Sequence, residues 1–270
     1  MSKLQLPGVT LMAGSCRDHH QTLMALLHSQ SLCEFNNTVY FSNSEPDLKL
    51  YPIENLTYIK VPRFRHYYDI CTWFMTSIFK HTEHFSHHVM AVHWDGYPIR
   101  PQAWNPKFLN YDYVGSPWPN GEVGNNGFCI YSRNFLKSIK ELNLPADPNF
   151  CHPSDQILFR RNKHRFAELG MKIAPYELAF EFSTETYYYN NQPCGYSYGG
   201  AFGFHGIHSF SSMKGWDIKL PRHHLERIET PTPEGLLKPP FIDPDYYSMN
   251  MLVDPTLIYS DKEIPNKKKS

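Results

Sequence analysis

The 270-residue sequence predicts an α/β fold: a mostly parallel, Rossmann-like central sheet flanked by helices, a smaller mixed β region and an irregular C-terminal tail. Three observations predict it. Up to Gly96 the chain alternates apolar runs in the order strand, helix, strand, strand, helix, strand, the signature of parallel crossover units. Three of the strand runs end in small or polar residues, at Ser15, Ser42 and Asp95. After Gly96 the texture shifts to Pro, Gly, Asn and aromatic residues, which marks loops and short strands.

Residues 8–15 (GVTLMAGS) read as a buried strand. His19–Leu32 has helical apolar spacing at Leu23, Leu26 and Leu27. Residues 37–44 and 57–62 are two more strands, 68–82 a long buried helix, and 87–96 a strand finishing in His93-Trp94-Asp95-Gly96. Residues 127–132 read as a strand, and 132–143 as a helix with Ser132 at its N-cap. Residues 154–170 read as a helix opening at Ser154-Asp155 and closing at Gly170. Residues 171–183 read as a further strand region. The organisation expected is one domain over 1–220 and a Pro-rich extension over 221–270 that packs on it, with a frayed basic end at NKKKS.

The chain carries 26 basic and 26 acidic residues, a formal net charge of +0, so bulk charge draws it to neither nucleic acid nor an anionic membrane. No nucleic-acid partner is expected. The six cysteines are scattered without a CxxC pair, no apolar run is long enough for a transmembrane segment, and the start lacks a signal-peptide pattern. These features lead us to expect a cytoplasmic protein with free thiols.

Four short stretches have chemistry-bearing composition. In HWDG, Asp95 at a strand end followed by Gly96 can reach a divalent cation, and the nearby His93 shifts the preference from Mg²⁺ towards Mn²⁺. In VGNNGF, the loop Gly124, Asn125, Asn126 and Gly127 permits positive φ and close approach of the backbone to a ligand. It has neither a P-loop ending nor a dinucleotide fingerprint. In HPSDQ, Asp155 stands at a helix start, where the macrodipole favours the ionised form and general-base work. In FGFHG, His205 lies in a glycine-rich stretch suited to a ligand on a mobile loop. Taken singly, each stretch has an ordinary reading as a turn, hairpin or cap. The pairs His19-His20, His87-His88 and His223-His224 read as solvated. In α/β sheets ligands bind outside the carboxyl ends of strands, so Ser15, Ser42 and Asp95 are expected to share one crevice.

In combination and in this order, HWDG, YDYVGSPW, VGNNGFCIYSR, FSTE and FGFHG resemble the GT-A-fold, nucleotide-sugar-dependent glycosyltransferases, in particular a largely uncharacterised branch of them. The resemblance covers most of the chain, from Val9 to Gly206. It implies a metal-dependent, inverting transfer of a sugar from a nucleotide-diphosphate donor, UDP-sugar favoured and GDP-sugar possible, to a hydroxyl of a glycan or other acceptor. It assigns Asp95 and His205 to the metal, Mn²⁺ or Mg²⁺. His93 stands where the group has its first acid, and Ser154 where it has a Glu. The resemblance places Gly124, Asn125, Asn126 and Gly127 along the donor and acceptor, and makes Asp155 the base. Ser15, Arg17 and Ser42 fall at the nucleotide end, with Lys214 as a further diphosphate contact. Trp118, Trp216 and the tyrosines at 187–189 are candidate flat faces for a sugar. Two other classes compete: a non-catalytic nucleotide- or carbohydrate-binding protein that keeps the fold, and a metallohydrolase using His93, Asp95, His205 and His208.

Overall fold

The computed structural model describes residues 2–65, 67–144, 153–189, 191–238 and 241–242. A six-stranded sheet forms its centre, in the order β3-β2-β1-β4-β7-β6. The first four strands run parallel: β1 (Leu4–Gly14), β2 (Cys33–Ser42), β3 (Leu56–Lys60) and β4 (His88–Ala91). Two antiparallel strands complete it, β6 (Tyr113–Pro117) and β7 (Val123–Ser132). Helices α1 (His19–Leu32) and α2 (Tyr67–Ser77) make the crossovers, as the alternating pattern requires. A second, mixed sheet has the order β5-β10-β8-β9, from β5 (Gly96–Pro98), β8 (Ser183–Tyr189), β9 (Gln192–Gly195) and β10 (Gly203–His205).

Both faces of the central sheet are buried, which explains why its strands read as near-continuous apolar runs. Along β7, Phe128 and Ile130 enter the core shared with α1 and the second sheet. Their neighbours Cys129 and Tyr131 enter the opposite core, with Phe135, Phe159 and Phe166. Ser132 closes β7 and opens α3 (Arg133–Ser138): its Oγ accepts from the Phe135 amide at 2.9 Å and donates to Asp112 Oδ1 at 2.6 Å.

The structure corrects four element readings. VGNNG is no loop but the first half of β7, its ladder to β6 interrupted by irregularities opposite Gly115–Pro117. Residues 171–183 are mainly α5 (Tyr176–Phe182), begun by Pro175; an apolar run of this length does not separate a buried helix from a buried strand. The helix over 154–170 is two pieces, a π-helix Gln156–Arg161 and α4 (Lys163–Glu168), divided at Asn162, whose side-chain amide donates back to the Ile157 carbonyl. Gly170 ends it in a left-handed conformation, as expected. The long buried helix finishes as a 3₁₀ turn, Ile78–His84.

The described part of the C-terminal extension lies on the second sheet. His224, in α6 (Arg222–Leu225), hydrogen-bonds Tyr97 Oη through Nδ1 and stacks on that ring. Leu237 pairs with Tyr196, and the Phe241 carbonyl accepts from Tyr176 and Tyr196. NKKKS and Cys151 lie outside the described residues; the other five cysteines are buried and form no disulfide with one another. No described helix is long and apolar enough to cross a membrane.

Replacing the cap, Ser132→Ala, removes the acceptor for an orphan helix amide and one hydrogen bond to Asp112. The expected cost is about 1–2 kcal/mol of unfolding free energy, measured by denaturant titration.

Candidate active site

The site forms where the chain passes from one sheet to the other. Beyond β4, Val92 still donates to the Met12 carbonyl at 2.9 Å. The backbone then folds back in a tight turn, with the His93 amide on the Gly96 carbonyl at 2.8 Å and the Gly96 amide on the His93 carbonyl at 3.2 Å. Trp94 and Asp95 occupy the turn, and Gly96 begins β5 of the second sheet. Asp95 is therefore a turn residue and a strand-end carboxylate at once. Its carbonyl accepts from the Gly206 amide at 2.8 Å, which ties the turn to the exit of β10.

His205 ends β10, a paired strand and not the mobile loop expected from its glycines. In register it stands between Gly96 of β5 and Glu185 of β8. Neighbours in register on adjacent strands project to the same face, and Glu185 Oε1 lies 2.9 Å from His205 Nδ1. The ionised carboxylate only accepts, so Nδ1 donates and Nε2 is turned to Asp95 Oδ1, 3.9 Å away. The His93 ring meets the His205 ring edge-on at 6.1 Å. One donor atom each from His93, Asp95 and His205 falls within 4.8 Å of the others.

Two glycines of β7 make this packing possible. A Cβ at Gly127 would lie 1.9 Å from His205 Nε2. A Cβ at Gly124 would lie 2.5 Å from Trp118 and 2.6 Å from Phe159 of the π-helix. Neither glycine has a positive φ. Both are places where bare backbone lies close to side chains, and Gly127 also lines the cleft described below. Asn125 Oδ1 accepts from the Gly127 amide at 2.9 Å and its carbonyl from Tyr113 Oη. Asn126 donates to Ser154 Oγ at 3.3 Å, while its buried Oδ1 has no partner among the described residues.

Asp155 begins the π-helix, its carboxylate accepting from the Gln156 amide at 2.7 Å. That bond, with Arg160 and His205, favours the ionised form. Burial, and then the Glu185 charge, outweigh them and push the Asp155 carboxyl up to about 6. The helix-start effect anticipated from sequence is thus overridden. His205 goes the other way: burial opposes its charge, but Glu185, Asp95 and Asp155 hold the imidazole at about 9. Burial, reinforced by His205, keeps His93 down at about 4 despite Asp95.

These groups open into a cleft of about 360 Å³ at the carboxyl ends of β1 and β4, the crevice position of open α/β sheets. Ser15, Arg17, His93, Asp95, Asn125, Asn126, Gly127, Asp155 and His205 all line it. The Ser15 hydroxyl already accepts from the Asp18 amide at 3.1 Å. Three expected residues lie elsewhere. Ser42 is buried and bonded to His19 Nδ1 and the Ser44 amide. Gly124 is packed under Trp118. Lys214 is exposed and outside the lining. His208 is also apart, its ring against Tyr188. Trp118 is buried beneath Arg160, and Trp216 packs on Tyr198, so neither lines the cleft. Three histidines read as solvated are not: His19 bonds Tyr40 Oη at 2.9 Å, His88 is half-buried in β4 with Nε2 3.3 Å from the Tyr111 carbonyl, and His224 is buried. Glu185 is the residue that sequence reasoning missed. Its signal was the FSTE block, but only the β8–β10 register sets it behind His205.

Fold and site together define an α/β protein with a cluster of imidazoles and carboxylates at the C-terminal crevice of its parallel sheet. The chain belongs to the family described as "Protein of unknown function (DUF5672)", matched over residues 57–204. None of the curated proteins matches the chain. A solved structure it resembles is a glycosyltransferase involved in the glycosylation of the major capsid of PBCV-1, with 13% identity, a TM-score of 0.39, and coverage of 73% of this chain and 91% of that one.

Two outcomes are expected. Gly127→Ala forces His205 aside, since the added Cβ would lie 1.9 Å from Nε2, and unfolding free energy is expected to fall by about 1–3 kcal/mol in denaturant titration. Asp155 holds its proton more tightly when folded, so it lowers stability as pH rises from the ordinary carboxyl value of 3.8 through about 6. Asp155→Asn keeps an acceptor for Gln156 and removes that penalty. It is expected to raise unfolding free energy by about 1–3 kcal/mol at pH 7.5, and by much less at pH 4, in parallel denaturant titrations.

Proposed function

We propose that this protein is a metal-dependent, inverting glycosyltransferase that moves a sugar from a nucleotide-diphosphate donor to an acceptor hydroxyl. The observation that carries the reading is the convergence of Asp155 with His93, Asp95 and His205 in one cleft beside Ser15 and Arg17. The likeness of its sequence blocks to GT-A enzymes supports the same class.

The residues fit a divalent cation. Three donor atoms already converge, Glu185 orients His205 from behind, and Gly127 leaves the imidazole its space. Two imidazoles and one carboxylate favour Mn²⁺ over Mg²⁺, which prefers an all-oxygen shell. Such an ion, when bound, supplies positive charge against the departing diphosphate. The protein's own groups do the rest. Asp155, held at about 6, is ionised at neutral pH yet basic enough to take a proton from an acceptor hydroxyl. The hydroxyl oxygen bonds to the anomeric carbon as the bond from that carbon to the diphosphate oxygen breaks, and the proton ends on Asp155. A single displacement inverts the centre. Asn126 Oδ1, without a partner among the described residues, offers a sugar hydroxyl an acceptor at the same wall.

The donor set also favours a second reading. Two His and a carboxylate hold zinc in hydrolytic enzymes, leaving a position for water. Metal analysis of the wild type beside a His93→Ala/Asp95→Asn variant separates the two, since a tightly held stoichiometric Zn²⁺ lost in that variant would support the hydrolase.

For the transferase, UDP- and GDP-sugars are expected to bind in calorimetry only with Mn²⁺ or Mg²⁺ present. Asp155→Asn is expected to lower transfer, read by product mass spectrometry, by about 10²–10⁴-fold while donor affinity stays within a few-fold. Failure of every nucleotide diphosphate to bind with metal present would remove the reading.

A further inference from the structure

Outside the cleft, His81, Glu83 and His84 form a second group whose donor atoms lie within 4.8 Å of one another. All three belong to the 3₁₀ turn Ile78–His84. Residues three apart eclipse in a 3₁₀ turn, which sets His81 and His84 over one another, whereas an α-helix would rotate them about 60° apart. The turn is held at both residues. The His84 carbonyl accepts from Asn37 Nδ2 at 2.9 Å. The His81 ring stacks on Trp73 at 5.9 Å and meets Phe41 at 5.4 Å. His84 Nε2 lies 3.4 Å from Glu83 Oε1, and these side chains are 38% and 63% exposed, so a hydrated ion can reach them.

We propose that this turn is a separate divalent-metal site, with His81, Glu83 and His84 as its protein ligands and water completing the shell. Two imidazole nitrogens and a carboxylate oxygen at one short span suit Zn²⁺, which takes four ligands of this mixed kind. The site is independent of the reading given to the cleft, yet it touches the cleft's wall. Phe41 and Trp73 line that cleft and contact His81, so an ion on the turn holds the wall in place.

The test is calorimetric titration of the full chain with Zn²⁺ in a His93→Ala/Asp95→Asn background, which disables the cleft ligands. One zinc per chain is expected to remain. Adding His84→Ala should weaken it at least tenfold, and the milder Glu83→Gln, at an exposed position, several-fold. No zinc bound in the background would overturn the proposal. So would affinity and stoichiometry unchanged by both His84→Ala and Glu83→Gln.

Discussion

The contact on which the site depends is that of the His205 ring with the bare backbone of β7 at Gly127. The imidazole occupies the space a side chain would fill, since a Cβ there would fall 1.9 Å from Nε2. Glu185 fixes the ring from the other side through Nδ1. Gly96 completes the fit: a Cβ on it would meet the Gly127 carbonyl at 2.6 Å. Two sheets therefore meet at a seam without side chains, and the polar groups of His93, Asp95 and His205 gather where that seam opens.

The same strand positions Asp155. At Gly124 β7 leaves room for Trp118 and for Phe159, which stacks on Tyr113 at 3.9 Å. That contact anchors the π-helix whose first residue is adjacent to Asp155. A π-turn widens the helix and re-aims its start, a device concentrated at functional sites. Glycines three residues apart on one strand thus give room to the π-helix that follows Asp155 and to the His205 ring that ends β10.

Electrostatics then separate two kinds of acid in this crowded place. Glu185 is committed to His205, where the ion pair and hydrogen bond outweigh burial and favour the imidazolium in the metal-free protein. Asp155 is pushed up to about 6 by burial and then by the neighbouring Glu185 charge, against its one backbone donor. Pairs of titratable groups pushed in opposite directions are a recurrent property of catalytic clefts.

Much of this was legible in the sequence. The strand-helix alternation up to Gly96 fixes the parallel half of the sheet, because both-face burial writes itself as unbroken apolar runs at β1, β2 and β4. Ser132 announced its cap, and Gly170 its helix end. Asp95, Asp155 and His205 were readable as chemistry-bearing residues from their company along the chain. Tertiary structure alone decided the rest. Whether GNNG is a loop or a strand depends on its pairing with β6, at Ser116 with Asn125 and Pro117 with Val123, which the composition of the stretch does not reveal. Residues 171–183 became helix because a buried apolar run is compatible with either state until its neighbours are placed. Ser42 and Lys214 have the right residue types, but the fold spends the first on a turn and leaves the second in solvent. Glu185 acquires its role only through the register of β8 against β10, and register is set by packing across the sheet, not by local spacing.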